Sequence, residues 1–417
     1  MMCSSPGASG RDAYVKAVVA AANWLSEVAQ IGSSTQAFEN PAAYPHRSFI
    51  GGFRTEYDTS TRRWWVNGPV FHAGQAIRAL LVAAEVTGEG RFRASAIRAG
   101  EFIADECIED VESPQQGLLM SLEQNEDEIN IQVTVEALSG MLDLYEATED
   151  GRYWSLLERN AEILVRDAYL PEHRLMHHHY SLTQQRFIGD VSSGYPGRAM
   201  VDDAFFLRMF RVSGNQDYRT VFLEMADRLI EIERPPGTWI DLPPWRAIEG
   251  RIHNRKNWWW GYPLLAAYDE TGNSRYLECA VRAADWWLEG QTIDGGMYYS
   301  PGPDHSHTAY GLCTSVSAVA AMYCLELWNR IGESRFLEAA HRSLGYLLRA
   351  QFSEAEPALN VVGALYEAPN QPDGTTCPGF LVRDLPAIFA IRAWAMAMGT
   401  PAVLDLDSSS VECGMKW

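Results

Sequence analysis

The chain has 417 residues, 47% of them hydrophobic, and a formal charge of −20. That acidity, with no Lys/Arg cluster able to track a phosphate backbone, excludes nucleic acid as a partner, and no apolar run reaches the roughly 20 residues of a membrane-spanning helix. Seven cysteines without any CxxC spacing argue against a disulfide framework and for reduced thiols, Cys279 and Cys324 among them within helices.

The opening MMCSSPGASGRD lacks the charged and apolar regions of a secretory signal, so a cytoplasmic protein is expected. In chain order, apolar periodicity predicts helices near 11–28, 71–87, 91–107, 130–147, 152–168, 200–213, 217–232, 257–271, 275–290, 313–330, 334–351 and 383–398. Between them one phrase returns five times: TGEGRF ending at Phe92, TEDGRY at Tyr153, SGNQDY at Tyr218, TGNSRY at Tyr276 and IGESRF at Phe336. The steps are 61, 65, 58 and 60 residues, so one helical hairpin is reused along the chain. Gly with a small polar residue ends the first helix of each pair, and the aromatic of the next staples back onto it.

The first helix of each pair is apolar almost all round and the second carries a charged face, as an inner and an outer ring require. Twelve helices in six pairs close into an all-α (α/α)6 toroid, or six-hairpin barrel, and 1–417 reads as one such domain. An open solenoid of the same repeats needs capped ends. The inner-to-outer links are the short phrases, whereas each return from outer to inner helix runs on the order of 20 to 40 residues, well beyond ordinary connections. One face is therefore elaborated. His46, His72, His173, His177, His178, His179, His253, His305 and His307 fall on that face with Trp64, Trp65, Trp239, Trp245, Trp258, Trp259 and Trp260, which points to a binding site at the inner-helix N-termini.

The third inner helix, RAMVDDAFFLRMF, opens with Asp202 and Asp203. They read as first-turn caps favoured by the helix dipole or as catalytic carboxylates, with one of the two turned into the pore. His72, in VFHAGQA, is a substrate ligand, a proton shuttle or a helix-cap histidine. Glu136 lies amid apolar residues, where burial raises a carboxyl pKa enough to make an acid, or else it is a hydrogen-bonded core residue. Glu126, Asp127 and Glu128 precede it as a solvated run. Indole faces stack on sugar rings, so Trp65 and one or two of Trp258, Trp259 and Trp260 are candidate platforms, with His253, His305, His307 and Arg255 as further ligands. Arg246, Arg251, Arg255 and Lys256 make one return locally basic in an acidic protein.

Two other chemistries were weighed. His305, His307, Cys313 and Cys377 form a mixed zinc set if the fold joins them, and Cys313 with His305 or His307 as base makes a nucleophile. Consecutive His177, His178 and His179 alternate faces in a strand, a poor arrangement for binding one ion.

Arg198, Val201-Asp202 and Leu207, followed by Arg255 and Trp259 one repeat later, resemble the unsaturated glucuronyl and rhamnogalacturonyl hydrolases. These are (α/α)6 enzymes acting on unsaturated uronic-acid ends, and the resemblance spans mainly 198–345. It implies that Asp202 is the general acid/base and that Arg255 and Trp259 bind substrate. The chain departs where the family has an Asp-Ser-Ser-Ala run, reading Cys313-Thr314-Ser315-Val316, and a second family aspartate has no counterpart. RKNWWWGYPLLAAYDETGNSRYLE is also similar to the N-acylglucosamine and cellobiose 2-epimerases, whose histidine-centred motif is replaced by Asp202-Asp203. The expectation is a glycoside hydrolase for uronic oligosaccharides, needing no metal or cofactor, with homodimerisation open. A sugar 2-epimerase or polysaccharide lyase on the same ring is the enzymatic alternative, and a non-catalytic helical-repeat binding protein is the alternative from another class.

Overall fold

The computed structural model describes residues 8–34, 36–44, 48–123, 127–189, 195–244, 249–306, 311–352, 360–367 and 381–400. His46, Glu126, Trp245, Arg246, His307 and Cys377 lie outside the described residues. Among those described are twelve α-helices that alternate between two layers. The inner layer is α2 (Pro69–Thr87), α4 (Ile131–Thr148), α6 (Phe205–Ser213), α8 (Leu264–Thr271), α10 (Thr314–Ile331) and α12 (Asp384–Ala397). The outer layer is α1 (Ala8–Asn23), α3 (Gly90–Ala104), α5 (Gly151–Ile163), α7 (Gln216–Ile232), α9 (Ser274–Gly290) and α11 (Ser334–Ala350).

The ring closes because α12 packs on both α10 and α2, while α1 fills the gap behind α12. The recurrent phrase does what its residues dictate. Gly88, Gly214, Gly272 and Gly332 end their inner helices in the left-handed region, and the backbone N–H of each returns to the carbonyl four residues back. Glu149 takes that conformation in the second repeat, with φ of 55°. Asp150, Asn215 and Asn273 then cap the outer helices by accepting from the N–H two residues on. Phe92, Tyr153, Tyr218, Tyr276 and Phe336 are all buried at this turn end. The N-terminus of α2, which has 19 residues, is about 28 Å away.

The long returns carry short antiparallel strands that sequence periodicity missed, being two or three residues each. Glu128–Asn130 pairs with His179–Ser181, Met297–Tyr298 with Leu312–Cys313, and Leu381–Arg383 with Glu56–Asp58. Three of these strands run straight into an inner helix, at Asn130, Cys313 and Arg383, so each aims the residues that open α4, α10 and α12.

Two inner helices depart from the expected spans. The segment 200–213 becomes helical only at Phe205, after a tight turn over Asp202–Ala204, and 257–271 opens with a wide π turn over Asn257–Gly261 before α8. Those two irregular turns contact each other where regular helices meet elsewhere in the ring.

Contact between α2 and α4 is made by glycines. A Cβ on Gly74 would stand 2.5 Å from the Cα of Ala137, and one on Gly140 would strike the Gly74 carbonyl. Gly140→Ala gains helix propensity of about 1 kcal/mol but pushes two backbones apart, and overpacking of this kind costs about 1–3 kcal/mol. The expected outcome is net loss of stability, read as a lower denaturant midpoint, with Gly140→Val worse than Gly140→Ala.

Candidate functional site

The backbone reaches the third repeat through an exchange of N–H···O bonds between Arg198 and Met176, 2.8 Å each way. It then turns sharply, with Asp203 at φ 52° and Ala204 at φ 54°. Two successive non-glycine residues in the left-handed region cost roughly 1–2 kcal/mol each, and such strain persists only where surroundings over-determine it. Here they do. Asp203 pairs with Arg78 at 2.5 Å and faces Arg392 at 3.9 Å, while Asp202 Oδ1 accepts from Gln132 Nε2 at 3.0 Å. The two aspartates thus precede α6 rather than sit in its first turn, which corrects the helix-dipole reading. Side chains from α2, α4 and α12 hold them instead.

The neighbouring carboxyls have opposite electrostatics. Asp202 is 1% exposed, and burial pushes its pKa up to about 8; the charge of Asp203 adds to the rise and Arg198 opposes it. Burial also opposes ionisation of Asp203, but Arg78 and Arg392 outweigh it and hold that carboxyl below its usual range. Glu136, on α4, is raised well above the usual range by burial and then by the charges of Asp202 and Asp203; its Oε2 accepts from Gln75 at 3.3 Å. A buried acid beside an ionised partner is the arrangement that lets one carboxyl keep a proton at neutral pH. Asp202 Oδ2 has no hydrogen-bond partner among the described residues.

The remaining predicted residues divide. His72 Nδ1 lies 2.6 Å from Asp384 Oδ1, and Asp384 is fully buried at the first position of α12. Arg255 Nη2 donates to Ser315 Oγ at 2.6 Å and faces Glu367 at 3.4 Å; Glu367 also accepts from the N–H and hydroxyl of Ser315. His253 packs on Trp259, centroids 4.8 Å apart, and its Nδ1 accepts from the Arg255 N–H. Burial, then Arg255 and Lys256, keep that imidazole well below its ordinary pKa and hence neutral. The Arg198 guanidinium sits 5.8 Å from the centroid of Trp259. The charges of Arg198 and Arg255 are both felt at Glu136, so carboxyls, guanidiniums and indole belong to one cluster.

The two flanking indoles are already engaged. Trp258 stacks on Tyr262 at 4.0 Å, which occupies one indole face, and Trp260 is buried with Nε1 donating to the Ala199 carbonyl and the Arg198 guanidinium 5.5 Å from its centroid. Trp65 is 38% exposed on the strand Arg63–Trp65, two strands from the one that leads into Asp384. His305 lies against outer helix α9, its ring 4.4 Å from Trp286 and its Nε2 3.4 Å from Glu289.

Cys313 is buried, its Sγ is 3.3 Å from Ser315 Oγ, and burial followed by Glu367 pushes its pKa up to about 12. A thiol held neutral in this way is a poor nucleophile, which counts against the Cys313 alternative. Of the mixed zinc set, His307 and Cys377 lie outside the described residues, and among the described residues no group of three or more His, Cys, Asp or Glu could hold a metal ion.

Sequence reasoning missed Gln75, Arg78, Gln132, Glu367, Asp384 and Arg392. A signal was present for several of them. His72, Gln75 and Arg78 recur every three residues along otherwise apolar α2, and Gln132 and Glu136 are four apart on α4. Polar residues at helical spacing on a helix that is apolar elsewhere mark the face toward a shared polar interior.

No protein-family model matches the chain, and no curated protein matches it. Solved structures do. A cellobiose 2-epimerase from Bacillus thermoamylovorans B4167 superposes with TM-score 0.65 at 11% identity, covering 93% of this chain and 100% of that one. An unsaturated glucuronyl hydrolase from Bacillus sp. GL1 gives 0.63 at 16%, covering 91% and 96%. An unsaturated glucuronyl hydrolase specific for heparin gives 0.65 at 13%, covering 94% and 99%. At such identities the likeness establishes architecture. The chain folds as an (α/α)6 toroid, the six-hairpin architecture of those sugar epimerases and glucuronyl hydrolases.

Proposed function

We propose that the protein is a carbohydrate-active enzyme, a glycoside hydrolase for oligosaccharides bearing a uronic or unsaturated uronic residue, with 1–417 as one catalytic domain. The observation that carries this reading is Asp202, a buried carboxyl with a pKa raised to about 8 and an oxygen without a hydrogen-bond partner among the described residues. In the proposed reaction Asp202 gives its proton to the glycosidic oxygen or to the vinyl ether of an unsaturated sugar. As the carboxylate it then takes a proton from the attacking water, so the acid is regenerated. Glu136 and Gln132 line the same cluster. Asp203, already ionised and paired, supports the acid rather than donating to substrate.

The uronic preference rests on charge. A protein of formal charge −20 repels an anionic sugar at long range, so a local cation must offset that; Arg198 beside Trp259 supplies it, and Arg255, which also holds Glu367, adds a second. Trp259 is the stacking platform, with His253 held neutral beside it.

One observation favours a second reading. The 2.6 Å contact between His72 and fully buried Asp384 is the pairing that orients an imidazole as a proton-transfer base, which a sugar 2-epimerase needs. The two readings separate experimentally. A hydrolase releases a reducing sugar and, from an unsaturated end, loses ultraviolet absorbance; an epimerase exchanges a carbon-bound hydrogen with deuterated water and cleaves nothing.

Asp202→Asn is expected to lower hydrolytic turnover at least about 100-fold, the lower bound of general acid catalysis, with substrate affinity nearly kept. Because the acid must be protonated, the parent rate should fall on the alkaline side, near pH 8, instead of showing only the acidic limb of an ordinary carboxylate. A pH–rate profile with and without chelator checks both points, and chelator-sensitive activity restored by zinc would overturn the metal-free mechanism. Under the hydrolase reading Asp384→Asn should leave that profile nearly unchanged, whereas under the epimerase reading it should abolish deuterium exchange.

The same carboxyl makes stability depend on pH. Its folded pKa, about 8, lies above the ordinary aspartate value of 3.8, so between those values the native state binds the proton that the unfolded chain has lost, and stability falls as pH rises through the window. Asp202→Asn removes this dependence. Calorimetry should find the Tm of the variant rising relative to the parent from pH 5 to pH 8.

A further inference from the structure

A second group of charges lies behind the acid rather than around it. On α2, Arg78 extends Nη1 to Asp203 at 2.5 Å and Nε to Asp143 at 3.0 Å. On α4, Asp143 also receives Arg208 of α6 at 2.5 Å. From α12, Arg392 approaches Asp203 at 3.9 Å and donates to Gln75 at 3.2 Å. The third repeat is thus tied to the α2–α4 pair twice, by Asp203 immediately before α6 and by Arg208 within it. Between those ties sits the left-handed backbone of Asp203 and Ala204, and the side chain just before it is Asp202.

We propose that Arg78, backed by Arg392, is a positioning residue for Asp202 and acts through Asp203. The proposal rests on the reading of Asp202 as the acid. Arg78 bridges Asp203 and Asp143, tying the turn to α4, so the turn cannot relax to an ordinary helix start, and Asp202 stays within reach of Gln132 with Oδ2 left for a proton. The clamp also keeps Asp203 ionised, and a fixed negative charge next to Asp202 favours its protonated form. Arg78 therefore sets both the place and the protonation of a group it does not touch.

The charged and titratable groups facing the pair are Arg198 on its own segment, Glu136 and Asp143 of α4 with Arg255 beyond, Arg78 of α2, Arg392 of α12, and Tyr262, next to the π turn that leads into α8. Replacing Asp203 by Asn keeps the shape of the side chain, still accepts from Arg78, and removes the negative charge. Arg78→Met removes the clamp and leaves a buried carboxylate that must take up a proton, with the same electrostatic result. Arg78→Lys keeps a cation there. A salt bridge that served stability alone would lower the Tm of these variants without altering how Asp202 titrates.

The test follows aspartate carboxyl carbons by NMR in the full-length labelled chain from pH 4 to 10, with Asp202→Asn identifying the signal, so no substrate is required. The expected result is an elevated Asp202 midpoint in the parent that falls by at least about one pH unit in Asp203→Asn and Arg78→Met and is retained in Arg78→Lys. Should Arg78→Met fail to fold, Asp203→Asn decides. An elevated parent midpoint that is unchanged or higher in Asp203→Asn overturns the positioning role and leaves Asp202 as the acid. A parent midpoint in the ordinary carboxylate range overturns the acid assignment itself, and the positioning role with it.

Discussion

Burying an ionised carboxylate or guanidinium costs several kcal/mol unless a well-placed partner offsets it, and that constraint organises the inner ring of this protein. Asp203 and Asp143 meet it by pairing with Arg78, Arg208 by pairing with Asp143, and Glu367 with Arg255 and Ser315. Burial instead raises the pKa of Asp202 and Glu136, against the opposing charge of Arg198. The division of labour between adjacent aspartates follows from which of them reaches Arg78.

Helix packing makes that sorting possible. The Gly74–Gly140 contact lets α2 and α4 approach closely, so that short side chains such as Gln75 and Glu136 bridge the seam. The site ends of the third and fourth ring members are not helical, and their turns pack together. A regular helix start over Asp202–Ala204 would direct both aspartates by the 100° step of the helix. The left-handed turn breaks that step and lets Asp203 face Arg78 and Arg392 while Asp202 faces Gln132.

The toroid itself is indifferent to chemistry, since epimerases and hydrolases share it and function resides in the site. Two buried polar arrangements occupy this ring, the Asp202 cluster and the His72–Asp384 pair, and the proposed readings rest on one each. The first is surrounded by guanidiniums and indole suited to an acidic sugar. The second has the geometry of an oriented base. Both draw on α2 and α12, the first through Arg78, Gln75 and Arg392 and the second through His72 and Asp384.

Much of this was legible in the sequence. The five returns of the phrase ending at Phe92, Tyr153, Tyr218, Tyr276 and Phe336 determined the hairpin, the pairing of inner with outer helices and the face that bears the long returns, because turn chemistry and periodicity are local properties. Asp202, Glu136, His72, Arg255 and Trp259 were visible as polar or aromatic residues at the site ends of inner helices. Their partners were not. Whether Asp202 or Asp203 keeps a proton depends on Arg78, over 120 residues away, and on Arg392 beyond it, and no local pattern links such positions. The poor nucleophilicity of Cys313 and the displacement of His305 to α9 likewise follow from burial and neighbours. Sequence alone therefore determined which groups stand on the functional face, and only the tertiary structure decided their charge and company, because a pKa or an ion pair is a property of three-dimensional surroundings.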